Sequence, residues 1–245
     1  MEPPLIALLA LLCRIALAEP YAEALARYAP RGEVDYAGLR QSGLLQGPVD
    51  ALATAPLPAD KAGQMAFWIN AYNLLTLDLV ADHWPLASIR DLDGGDPWSK
   101  RRFVVAGRTL TLNDIEHKIL RPMGDPRIHA AINCASRGCP PLPATPFTAA
   151  GLPAQLDAAA QAWVQGGGVR VDAAAKVVWL SMIFDWFGED FVQTSGEGPP
   201  GQSGKKSAAL RFALPYLSPS DAAFVRAGAY TVRYAPYDWA VNSRR

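Results

Sequence analysis

The chain has 245 residues, 50% of them hydrophobic and 19% charged. That is enough to bury one sizeable core, and it excludes a disordered or collagen-like protein. Lys+Arg 23 balances Asp+Glu 23, so no bulk field draws the chain to phosphate and nucleic acid is not an expected partner.

Leu5 to Leu17 is an apolar run that ends in the small-x-small pattern Ala16-Leu17-Ala18. It predicts a signal peptide over residues 1–18 and a mature chain from about Glu19, periplasmic or secreted. Glu2 stands in place of a basic n-region and Arg14 interrupts the run, so a buried N-terminal helix is the competing reading. The run is too short to span a bilayer, and no transmembrane segment is expected after it. Cys13 leaves with the leader, and Cys134 and Cys139 remain.

Tyr21 to Tyr28 reads as a short helix ended near Gly32. A long helix follows from Lys61 to about Ala81, stopped by Pro85. It is apolar almost all round, with Met65, Trp68, Ile69, Tyr72, Leu75, Leu79 and Val80. Such a helix is central and buried. Arg102 to Leu110 reads as a hairpin turning at Ala106-Gly107-Arg108. Thr111 and Asp114 then form a capping box for a helix that reaches Leu120 and closes at Pro122. Arg127 to Asn133 alternates with strand period. A tight loop runs from Cys134 to Pro143.

Leu152 to Val164 reads as an amphipathic helix and Val177 to Leu180 as a strand. Ser181 caps a helix expected through Phe191. Thr194 to Lys206 reads as a flexible loop. Leu210 to Leu217 and Ala222 to Ala227 read as helices, and Tyr230 to Tyr234 as a final strand. Helices and short strands mix without regular βαβ alternation. The prediction is one α+β domain over 19–245, its sheet small and mainly antiparallel, around the helix at 61–81.

Chemistry concentrates in His129-Ala-Ala-Ile-Asn133-Cys134-Ala-Ser-Arg-Gly-Cys139-Pro140. A cysteine opening a Gly-containing loop is a candidate nucleophile, and such a loop offers backbone N–H groups to an oxyanion. His129 is the nearest base, although on a straight strand it faces away from Cys134 unless the chain bends at Asn133. Glu116 falls inside the apolar stripe of Leu112, Ile115, Ile119 and Leu120, so its carboxylate must be paired or protonated. A histidine or an arginine such as Arg121 or Arg127 is the expected partner. Asn70 and Asn73 share one face of the central helix and must be hydrogen-bonded, as an oxyanion donor or as braces for neighbouring backbone. Three readings of Cys134 and Cys139 stay open: a structural disulfide, a catalytic Cys134, or a metal site that lacks the usual close Cys spacing. A redox-active pair is a fourth.

Phe67-Trp68-Ile69-Asn70-Ala71-Tyr72-Asn73, Ile115-Glu116-His117-Lys118-Ile119-Leu120-Arg121 and the run from His129 to Pro140 resemble the domain of unknown function 547 family. So do Leu180-Ser181-Met-Ile-Phe184-Asp185-Trp186-Phe-Gly-Glu-Asp190-Phe191 and Tyr237-Asp238-Trp239. The resemblance implies no activity. It implies export, since bacterial members are often exported. It also implies a cysteine at 134 that does not depend on one at 139, because plant members carry Ser there.

The leading expectation is an exported thiol-dependent hydrolase or acyltransferase acting on a peptide, acyl or polymer substrate. Cys134 is the nucleophile, His129 the base, Glu116 its orienter and Asn70 the oxyanion donor, with Asn73, Asn133 and Cys139 in support. No cofactor or metal is expected. The alternative is a non-catalytic periplasmic binding or assembly module, stapled by Cys134–Cys139, with aromatics near Trp68 and Trp186 lining a groove.

Overall fold

The computed structural model describes residues 19–193 and 196–244. The leader expected at 1–18 lies outside them. Residues 19–28 form α1, and α2 (Tyr36–Ser42) and α3 (Gln46–Leu52) fill a stretch where the sequence pattern gave no prediction. Both pack on α4, Lys61–Asp82, the helix expected at 61–81. Asp60 caps α4 by accepting the Gly63 N–H at 2.7 Å. Its burial runs nearly all round, with Trp68, Ile69, Tyr72, Leu75 and Val80 at 2% exposure or less. Trp68 is therefore core and lines no groove.

A short helix α5 (Pro97–Lys100) leads into the expected hairpin of β1 (Phe103–Val105) and β2 (Arg108–Leu110). Its two-residue turn puts Ala106 and Gly107 at positive φ, the mirror-image turn that matches strand twist. The capping box forms as read. Asp114 N–H donates to Thr111 Oγ1 at 3.0 Å, and Thr111 N–H donates to Asp114 Oδ2 at 2.9 Å. The helix it opens is wider than expected, a π-helical segment over Asp114–Leu120 that buries Ile115, Glu116 and Leu120 together.

The strand expected at 127–133 is corrected to a helical turn, α6 (Ile128–Ala131). All four of its residues are buried, so the alternation did not separate an inner from an outer face. Asp125 accepts the Arg127 N–H at 3.0 Å, and Pro126 opens the turn with a fixed φ. The turn then packs on α7 (Leu152–Trp163).

A three-stranded sheet follows. β3 (Val169–Asp172), which was not anticipated, pairs antiparallel with β4 (Val177–Leu180). β4 pairs parallel with β5 (Thr231–Tyr234). The single helix expected after Ser181 is broken into α8 (Ile183–Trp186) and α9 (Gly188–Val192). α10 (Gly204–Ala213) packs on both. It begins inside the expected Thr194–Lys206 loop, of which residues 194 and 195 lie outside the described residues. α11 (Pro219–Ala227) precedes β5. The result is one α+β domain with two small sheets among the described residues.

The last segment knits the molecule together. Val34 N–H donates to Asn242 O at 2.9 Å, and Tyr36 Oη donates to Asn242 Oδ1 at 2.8 Å. Arg137 and Gly138 donate to the carbonyls of Ala240 and Asp238 at 2.8 and 2.9 Å. Among the described residues, no helix is long and apolar enough to cross a membrane.

Candidate functional site

Two asparagines of α4 act on backbone rather than on a reacting group. Asn70 donates to Phe147 O at 2.8 Å and accepts the Phe147 N–H at 2.9 Å. Asn73 donates to Ala131 O and accepts the Asn133 N–H, both at 2.8 Å. These clamps supply the hydrogen bonds that loop backbone would otherwise lack. Asn70 opens onto a different cavity, beside Phe67 and Phe147, and is not at the cysteine loop.

Asn133 holds the cysteine loop closed. Its Oδ1 accepts the Ala135 N–H at 2.8 Å and its Nδ2 donates to Pro140 O at 2.8 Å. Within that loop Cys134 and Cys139 form a disulfide. Tyr237 Oη lies 3.2 Å from each sulfur and 2.9 Å from Ser136 Oγ. The Tyr237 ring lies so flat on the loop that a Cβ at Gly138 would sit 2.8 Å from it. Burial pushes the Tyr237 hydroxyl up to about 12, so it is a neutral donor at physiological pH.

Cys139 and Tyr237 are shared by two clefts. One, of about 350 Å³, is bordered by Arg31, Arg137, Gly166–Gly168 and Ser181. The other, of about 150 Å³, is walled by Trp98, Trp186, Phe187 and Trp239 and floored by Glu116 and His129. Its aromatic wall is continuous. The Trp186 and Trp239 centroids lie 5.7 Å apart, Tyr237 and Trp239 4.5 Å, and Trp98 and Trp239 5.9 Å. Trp186 is 43% exposed and forms the rim.

His129, 3% exposed, is stacked on Phe187 at 4.4 Å between centroids. Its Nε2 is 2.7 Å from Asp190 Oδ2, and its Nδ1 is 3.9 Å from Glu116 Oε1. Asp190 also accepts two bonds from Arg121, at 2.6 and 2.9 Å. Burial would raise the Asp190 carboxyl, but hydrogen bonds from His129 and Arg121 hold it well below the usual range. Burial also pushes His129 below its ordinary value, against the pull of Asp190, and the ring is neutral at pH 7. An ionised Asp190 at hydrogen-bond distance assigns the ring proton to Nε2. Nδ1 is then a lone pair facing Glu116.

Glu116 is 7% exposed, as its place in the stripe implied. Burial raises its pKa from 4.5 to about 7, with Asp190 adding to the rise and Arg121 and Tyr72 opposing it. The expected hydrogen bond to a histidine or arginine is not formed, because Arg121 is spent on Asp190. His117 is exposed at the mouth and lies 3.1 Å from Arg121. Burial and Arg121 lower its pKa.

Among the sequence-predicted residues, Cys134, His129, Glu116 and Cys139 meet at one cleft, while Asn70, Asn73 and Asn133 lie in the scaffold. Asp190 and Tyr237 were not assigned roles from sequence, and Arg121, a candidate partner for Glu116, is bound to Asp190 instead. Asp190 and Tyr237 sat inside recognised motifs, and the signal for Asp190 was a carboxylate beside the apolar Phe187 and Phe191. Among the described residues, no cluster of His, Cys, Asp and Glu could hold a metal ion.

The fold and site define a small α+β domain built around a disulfide-walled aromatic cleft. Residues 58–164 match the family model described as "Protein of unknown function, DUF547". The matched segment contains the Asn70, Glu116, His129 and Cys134 motifs, while those around Asp190 and Tyr237 lie beyond it. No curated protein and no solved structure matches the chain significantly.

Proposed function

We propose that this protein is an exported, non-catalytic binding module that takes part of a peptide or polymer into its aromatic cleft. The observation that carries the reading is the state of the two groups a thiol enzyme would need. The Cys134 sulfur is bonded to Cys139, and both ring nitrogens of His129 are turned to carboxylates. A disulfide-bonded sulfur is no nucleophile, and the lone pair of His129, on Nδ1, is turned to the Glu116 carboxylate. A disulfide of this kind also suits an oxidising compartment. The aromatic wall supplies what a binding site needs, a concave apolar surface with few, fixed polar groups.

The test is thiol chemistry on protein purified without reductant. The native protein is expected to show no titratable thiol at Cys134 or Cys139. It is expected to hydrolyse neither p-nitrophenyl acetate nor an anilide, before or after reduction. Closing so short a loop stabilises the fold by roughly 2 kcal/mol. Reduction should then lower Tm by about 4–8 °C. Hydrolysis that appears on reduction and vanishes in Cys134→Ser would replace the module with the thiol hydrolase or acyltransferase.

A further inference from the structure

Glu116 is the unspent group of the cleft. Among the described residues no cationic side chain hydrogen-bonds to its carboxylate, whose hydrogen-bonding neighbour is the neutral Tyr72 hydroxyl. The Tyr72 hydroxyl lies beside it, and its nearest ionic neighbour is the unprotonated Nδ1 of His129 at 3.9 Å. The floor of the cleft therefore presents two acceptors, the Glu116 carboxylate and Nδ1 of His129, with no cationic donor bonded to either among the described residues. The walls are the electron-rich faces and edges of Trp98, Trp186 and Trp239. Aromatic faces attract cations, most strongly when water is excluded. A carboxylate and a lone pair on the floor call for N–H donors.

We propose that the Trp98–Trp186–Trp239 cleft binds a primary alkylammonium group, with its N–H bonds directed to Glu116 and to Nδ1 of His129. This rests on the binding-module reading and gives its ligand a chemical class. A volume of about 150 Å³ accepts a short alkyl chain with its ammonium head and excludes a folded partner. A free amine and a lysine side chain of a peptide share this chemistry.

Charge favours the same occupant. Arg121 is neutralised by Asp190, while His129 and His117 are pushed toward their neutral forms. Tyr72 and Tyr237 are raised and stay protonated. Glu116 is thus the group whose charge changes near neutrality. An ammonium ion selects its ionised form. With a pKa of about 7, the ionised fraction of Glu116 rises about tenfold between pH 6 and 8, and the apparent affinity should follow it.

The experiment is a tryptophan-fluorescence titration of the whole oxidised protein with n-butylammonium and, as neutral isostere, n-butanol. Butylammonium stays charged from pH 6 to 8. It is expected to bind at least tenfold more tightly than butanol at pH 8 and to weaken about tenfold at pH 6. Glu116→Gln should abolish both the preference and the pH dependence. Trp186→Ala, at the exposed rim, should weaken binding several-fold while leaving the pH dependence in place. A Gly-Lys-Gly peptide binding more tightly than butylammonium would identify the side chain of a peptide as the source; the reverse would identify a free amine. Equal binding of butanol and butylammonium would overturn the ammonium class and leave the module reading standing. No binding of either would overturn the inference as well, and the module reading is judged separately by the thiol test. The wild-type comparison decides the matter even where a variant fails to fold.

Discussion

His129 divides its surroundings into two unlike ends. At one end Asp190, with 22% of its side chain exposed, accepts from His129 and twice from Arg121, and stays ionised. At the other end Glu116, with only 9% exposed, has no such partner, and its pKa climbs to about 7. Two carboxylates beside one ring thus have opposite fates. Pairing, more than depth alone, decides which of them carries charge. The paired end belongs to the scaffold and the unpaired end faces the cleft.

The sharpest way to break this contrast is the pH dependence of stability. Glu116 has a folded pKa above its unfolded value, so the folded chain holds the extra proton between the two. Stability should therefore fall as pH rises from about 4.5 to 7, by about 3 kcal/mol. Asp190 has the opposite sign: its contribution is present above the ordinary carboxylate pKa and is lost only in acid. Urea unfolding of Glu116→Gln from pH 5 to 8 should show that fall removed. A variant as pH-sensitive as the wild type would mean that Glu116 is ionised and paired.

Next in size is Asp190→Ala, which strips His129 and Arg121 of their shared acceptor. Losing one partner of a buried pair costs about 3–5 kcal/mol. Because Arg121 and Asp190 are partly solvated, about 2–3 kcal/mol is expected at pH 7 from chemical denaturation. A loss below that of a surface substitution would dissolve the distinction between the two ends. The smallest effect belongs to Asn70→Ala, which strands the Phe147 N–H and C=O at a cost of about 1–2 kcal/mol. It should leave butylammonium binding untouched. A weakened ligand with an intact fold would return Asn70 to the site.

The sequence was most readable where one element satisfied itself. The all-round apolar run of α4, the Thr111–Asp114 box and the Ala106-Gly107 turn each follow from local chemistry. Glu116 was legible for the same reason, since a charge inside an apolar stripe stands out whatever surrounds it. Residues 128–131 misled because every one of them is buried, so their alternation carried no inside–outside information. The partner of His129 was hidden by distance. Asp190 is 61 residues away in the chain, on α9, and no local pattern joins the two. The same holds for Tyr237 and Cys134, which lie 103 residues apart.

The closing strap of residues 237–242 carries a consequence for how this molecule comes into being. Tyr237 and Trp239 build one wall of the cleft, and Asn242 binds Tyr36 across 206 residues of chain. A polypeptide that emerges with its N-terminus first, from a ribosome or through a translocation pore, has all of α4, Glu116 and His129 available long before that wall exists. Throughout that interval Cys134 and Cys139 lack the Tyr237 hydroxyl that later rests against both sulfurs. The cleft is thus absent from the growing chain until Trp239 has been added.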